Sequence, residues 1–210
     1  MLSFRLFGYP VRIEWMFWVL CVLLGMPYLQ KQGPEALGQF LIVTAVVLGS
    51  ILWHELGHAW ARRRCGEPYS EITLYGFGGL CGGPGRFTRH ESMFISAAGP
   101  AASLLLGGAV WLLVLTPIAA NPWLRFFAGW MHWVNVGWAI LNLLPVLPLD
   151  GGRIFEAALA NRNPGLVPRV GFGVALGVAI LGLLSAQFFL AVVFGMLAHG
   201  NYRRMRGGFF

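Results

Sequence analysis

Residues Gly38 to Arg64 read GQFLIVTAVVLGSILWHELGHAWARRR: a long apolar run, a His-Glu-x-x-His signature inside it, and three arginines closing it. About 20 apolar residues in a helix span the ~30 Å hydrocarbon core of a bilayer, so the stretch reads as a membrane helix with Arg62, Arg63 and Arg64 at its end. Ionisable groups inside such a helix cost on the order of several kcal/mol unless they are paired, liganded or hydrated. His54 and His58 stand four residues apart, one turn along one helix face, where both imidazoles reach a single metal ion. Glu55 lies beside them, placed to take a proton from a water activated by that ion. With five His and seven Glu in the chain, a chance match to this pattern is on the order of one in a few hundred. A structural histidine pair accompanied by a buried glutamate is the bland alternative.

Working outward, the same character holds along the whole chain. Of 210 residues, 57% are hydrophobic and 11% charged, against roughly 25% charged in soluble domains. Apolar segments recur at about 13–29, 38–61, 92–115, 123–147, 168–184 and 187–201, which predicts an all-α polytopic membrane protein of about six transmembrane helices. Only Ser185 and Ala186 separate the last two segments, and one long kinked helix is the alternative there. No stretch remains for a separate soluble domain, so residues 1–210 read as a single membrane-embedded domain. With six spans, every one of the chain's 15 Lys and Arg except Lys31 and Arg125 falls on one face. The positive-inside rule makes that face cytosolic and places both termini there, in a multi-pass cell-membrane protein. The net charge of +7 is thereby read as topology signal and contact with lipid headgroups in the bilayer, not as nucleic-acid binding. Cys21, Cys65 and Cys81 are scattered and odd in number, which argues against a disulfide framework. Arg5, Arg12 and the apolar run to Leu24 superficially look like a signal peptide, but Gly25-Met26-Pro27-Tyr28 is no cleavage site and the segment is expected to stay as a first helix.

Between the second and third segments, Glu71-Ile72-Thr73-Leu74-Tyr75 is strand-like, and Gly76, Gly78, Gly79, Gly82, Gly83 and Gly85 follow. Such glycine density breaks helices and allows close approach of backbones. Two readings stand: a flexible cytosolic loop, or a Gly-rich re-entrant hairpin dipping toward a cavity, which a bilayer tolerates only where protein or water covers the backbone. Ala98-Gly99-Pro100-Ala101-Ala102, and Gly173 with Gly177, read as small residues for tight helix packing.

Two histidines and a water leave tetrahedral zinc one protein ligand short. The chain's single aspartate, Asp150, ends Asn142-Leu143-Leu144-Pro145-Val146-Leu147-Pro148-Leu149-Asp150 and precedes Gly151-Gly152. Its prolines free backbone at the cytosolic end of the fourth span, at a depth similar to that of His54 and His58. An ordinary Asp-Gly turn ending a helix is the alternative. Glu156, His90 and His199, at the interface, and His132, toward the far face, are weaker ligand candidates; Cys81 reads first as a small apolar filler or reduced thiol.

HELGH in a second span with NLLPxxPLDGG downstream resembles the site-2 protease family of intramembrane zinc metalloproteases. Ile72-Thr73-Leu74 with Phe77-Gly78-Gly79 is similar to the family's re-entrant hairpin, Gly99-Pro100 to its third-helix motif, and Asn135 and Asn142 match family positions. The likeness runs from about residue 40 to 160. It implies one zinc ion held by His54, His58 and Asp150, with Glu55 as general base and later proton donor. It also implies substrate positioning by Asn142, Asn135, Gly78 and Gly79, and single-span membrane proteins as substrates. Leu147 stands where the family often has proline, and Ser103 where asparagine commonly follows the Gly-Pro pair. No PDZ insertion is visible. A transporter is the rival from another class, but polar groups here collect near one face and no internal repeat is found.

Overall fold

The computed structural model describes residues 1–31, 33–76, 78–159 and 162–207. Phe77, part of the hairpin motif above, lies outside the described residues. Two short strands come first, β1 (Leu2–Leu6) and β2 (Tyr9–Ile13), then helices α1 (Trp15–Leu29) and α2 (Ala36–Arg64). Strands β3 (Glu71–Tyr75) and β4 (Gly78–Gly82) follow, then α3 (Arg89–Val114), a 3-10 turn (Pro117–Ala120) and α4 (Pro122–Asn142). The chain closes with α5 (Asp150–Leu159), α6 (Leu166–Leu184) and α7 (Phe188–Met205).

The protein is thus mostly helical, with a four-stranded sheet that an all-α reading lacks. Its order is β1-β2-β3-β4, with β1 antiparallel to β2, β2 parallel to β3, and β3 antiparallel to β4. The strands form because their side chains alternate: Tyr9, Val11 and Ile13 are buried between outward Pro10 and Arg12, and Ile72 and Leu74 are buried along β3. That inner face packs on Phe17, Leu20 and Cys21 of α1 and on Val43, Val46, Val47 and Ile51 of α2. On the outside, Arg12 pairs with Glu71 across the parallel strands.

Helices occupy all six predicted segments. Three of them, α2, α3 and α6, are long and apolar enough to cross a membrane, and α1 is a shorter apolar helix. Their large apolar side chains also point outward: Trp53, Trp60, Leu105, Trp111, Leu112 and Leu181 are all exposed, as helices facing lipid require. Their ends are built by ordinary local chemistry. Gly66, at φ +88°, takes the left-handed conformation that closes α2. Thr88 and Glu91 cap α3 reciprocally: the Thr88 N–H donates to Glu91 Oε2 at 2.8 Å and the Glu91 N–H to Thr88 Oγ1 at 3.4 Å.

The fourth segment stops at Asn142 instead of 147, because Pro145 and Pro148 cannot continue the ladder. A separate short helix, α5, begins at Asp150 itself. The last two segments are distinct helices. The Gln187 N–H reaches Gly182 O at 2.7 Å and the Ala186 N–H reaches Leu183 O at 3.1 Å, with Ala186 at φ +54°. That bonding pattern terminates α6 and reverses the chain.

Two compact units are recognisable: Met1–Arg86 with Ala98–Ala139, and Phe87–Ala97 with Ile140–Phe210. The first holds the sheet and its core. The second has its own core, in which Val146 packs with Ala175 and Ala179 of α6 and Phe194 and Ala198 of α7.

Candidate metal centre

His54, Glu55 and His58 lie on one stretch of α2 and all three are buried. The helical spacing turns the two imidazoles toward each other, Nε2 to Nε2, at 3.2 Å. Two nitrogens at ~2.0–2.1 Å from one tetrahedral zinc stand roughly 3.3 Å apart, so the pair is spaced as co-ligands are. The other nitrogen of His54, Nδ1, lies 3.1 Å from Ser103 Oγ on α3. With an Nδ1–H donated to that hydroxyl, the Nε2 lone pair would be left for a metal.

The approach of α3 to this face depends on missing side chains. A Cβ on Gly99 would fall onto His58 Nε2 and 2.8 Å from His54 Nε2, and one on Gly57 would strike the Ala98 carbonyl. The Trp53 indole N–H donates to Ala102 O at 3.0 Å and ties the two helices one residue before His54. The small residues of Ala98-Gly99-Pro100 therefore pack helix on helix and also make the floor of the histidine pair.

Strand β4 covers Glu55. A Cβ at Gly79 would coincide with the Glu55 carboxyl group, so only glycine lets the strand lie this close. Gly78, at φ +130°, sits where a Cβ would meet the Trp138 ring.

Asp150 is the first residue of α5 and is buried. Its carboxylate and the imidazoles of His54 and His58 each offer a ligand atom, all within 4.8 Å of one another. Among the described residues this is the one group of three or more His, Cys, Asp or Glu so gathered. The donor set, two imidazoles and one carboxylate, suits zinc with one position left open. Local packing explains why the motif reads Asp-Gly-Gly. A Cβ on Gly151 would collide with the Leu143 and Leu144 carbonyls, and one on Gly152 with the Val146–Leu147 peptide. The proline-broken segment folds back directly onto the first turn of α5.

The weaker candidates lie elsewhere. His132 Nδ1 is 2.9 Å from Gly107 O and its ring stacks near Trp111. Glu156 faces Arg204 at 4.0 Å. Asn142 ends α4 and is half-buried. Asn135 is fully buried; its Nδ2 donates to Ser50 Oγ and to Met131 O, each at 2.8 Å. It therefore braces α4 against α2 one turn before His54.

Comparison with known proteins bears on this arrangement. The model of peptidase family M50 matches residues 42–120 and 116–184. The chain belongs to peptidase family M50. Among the relatives it matches, Rip3 of Mycobacterium tuberculosis is 32% identical over 98% of this chain and 55% of its own length. The zinc metalloprotease MJ0392 of Methanocaldococcus jannaschii is 27% identical over 90% of this chain and 56% of its own. The chain thus spans about half the length of the curated relatives it matches. In fold it is similar to the site-2 protease structure from Methanocaldococcus jannaschii, with a TM-score of 0.66 at 21% identity, over 97% of this chain and 94% of that one.

Ser103 was legible in the sequence only as a departure from the family's asparagine; its contact with His54 was not, although a hydroxyl one turn after Gly99-Pro100 on α3 was the available signal.

Proposed function

We propose that the chain is a zinc-dependent intramembrane endopeptidase. It hydrolyses a peptide bond in or near the transmembrane segment of membrane-protein substrates, single-span proteins foremost. The observation that carries the reading is the set His54, His58 and Asp150, gathered within 4.8 Å beside the carboxylate of Glu55. His54, His58 and Asp150 hold one zinc ion per chain. Zinc bound there supplies Lewis acidity, bringing the pKa of water toward ~7 and polarising the scissile carbonyl.

Glu55 takes the proton from the attacking water and later gives it to the leaving amine. Its burial under β4 keeps bulk water from competing for that proton. Ser103 holds His54 in one tautomer throughout. Asn142 positions substrate or stabilises the oxyanion, and Asn135 contributes from behind by bracing α2.

The β3–β4 pair acts as a re-entrant hairpin whose Gly78-Gly79 edge receives the unwound substrate as an added strand. Six helices span the cell membrane with both termini and the active site on the cytosolic side, and residues 1–210 work as one domain. The arginine distribution supports that orientation.

The test is direct. Full-length protein purified in detergent is assayed for bound zinc and for cleavage of a panel of membrane-spanning peptides. About one zinc per chain and chelator-sensitive cleavage are expected; a metal-free chain, or cleavage indifferent to chelators, overturns the proposal.

A further inference from the structure

A buried asparagine on α7 does work that neither the metal donors nor the family motifs account for. Asn201 is 1% exposed. Its Nδ2 donates to Leu197 O one turn back and, across the fold, to Leu147 O, both at 2.8 Å. Its Oδ1 has no hydrogen-bond partner among the described residues. A buried polar atom left unpaired is a cost to folding, so an apolar side chain here would be the cheaper choice if the site served only helix packing. Gly171 of α6 makes the room: a Cβ there would fall onto Asn201 Oδ1 and lie 3.4 Å from Pro145 O.

We infer that Asn201 is a positioning residue for Asp150, acting through the Leu147 carbonyl. Leu147 lies three residues before Asp150, in a segment that no regular ladder holds. The Val146 N–H bonds to Leu144 O at 2.7 Å, Leu149 N–H to Val146 O at 2.8 Å, and Arg153 N–H to Leu149 O at 3.0 Å. Gly152 presses on the Val146–Leu147 peptide from the α5 side, and Asn201 takes the Leu147 carbonyl from the α7 side. Held from both sides, the segment has one way to enter α5, and the carboxylate at the first position of that helix is aimed by it. Groups that orient a metal ligand typically affect metal affinity by ~10–100-fold.

The inference rests on Asp150 being the third zinc ligand, and one experiment separates the two ideas. Zinc affinity of the full chain in detergent is measured by chelator competition, alongside the melting temperature of the zinc-free protein. Asn201→Leu, which keeps bulk but cannot donate, is expected to bind zinc at least about tenfold more weakly. Gly171→Ala, which displaces Asn201, should shift affinity in the same direction. Gly182→Ala is the control: it crowds Ala191 in the same helix pair, 11 residues along α6 and so roughly 16 Å away. It should lower the melting temperature and leave zinc affinity within about twofold of wild type. If Asn201→Leu does not fold, Asn201→Asp is read in its place.

Wild-type affinity in the Asn201 and Gly171 variants, with zinc lost in Asp150→Ala, overturns this inference alone. Equal weakening by Gly182→Ala overturns it too, reducing Asn201 to a packing residue. Full zinc binding by Asp150→Ala removes the ligand assignment on which it stands.

Discussion

At Glu55 the carboxylate and the two imidazoles share one helix face, yet their proposed jobs are separable by substitution. Glu55→Gln keeps size and polarity but cannot accept the proton, so bound zinc should stay near one per chain while cleavage falls by at least about 100-fold. Zinc loss in that variant would give Glu55 a coordinating role instead. Ser103→Ala removes the acceptor from His54 Nδ1, 3.1 Å away, and should weaken zinc about tenfold or more with Glu55 untouched; an unchanged affinity in chelator competition would show that the tautomer is set otherwise. The residue scale is also where the sequence was most legible. HELGH declares itself because four residues make one helical turn, and Asp150 because it is the only aspartate. The contact of Ser103 with His54 stayed hidden because the two lie 49 positions apart and no local periodicity connects them. Asn201 stayed hidden for the same reason, 54 positions from Leu147.

Elements tell a different story. Six of the helices could be placed to within about five residues from apolar runs and prolines, since both signals are local, whereas the short α5 was not anticipated. The sheet was half read: β3 and β4 could be suspected from Glu71–Tyr75 and the glycines after it, whereas β1 and β2 were not anticipated. The pairing of β2 with β3 joins Val11 to Ile72 and Ile13 to Leu74, contacts across some 60 residues that only the folded chain creates. Ladder directions follow from one hydrogen bond. The Glu14 N–H donates to Leu74 O, so Leu74 faces β2, its neighbour Thr73 faces β4, and the Thr73–Leu80 pair carries the bonds that hold β4. Leu80 is 46% exposed, so Leu80→Pro costs little core but removes a ladder donor. Cleavage should drop several-fold while zinc content holds. Equal turnover would return β4 to the status of an ordinary loop.

For the whole molecule, membrane crossing is the property with the widest reach. Three helices meet the length and apolarity of a span outright, and the arginine count predicts the rest of the layout. After replacement of the native cysteines, a single cysteine at Lys31 should react with an impermeant thiol reagent in intact cells, and one at Gly207 only after permeabilisation. A Gly207 site labelled from outside would require an odd number of spans. A layout of this kind can be predicted from sequence because charge asymmetry is a bulk property, whereas the division into two compact units cannot, since it depends on which helices touch. The closeness of Gly79 to Glu55 has a practical side for anyone wishing to block the enzyme. A small chelating drug would compete with water alone and find many metal sites in a cell. A chelator carried on an extended, strand-like peptide could pair along β4, with its backbone passing Gly79, where the wall beside Glu55 has no side chain. Selectivity would then come from strand shape, and a single added methyl group at residue 79 should confer resistance only at the expense of the enzyme's own activity.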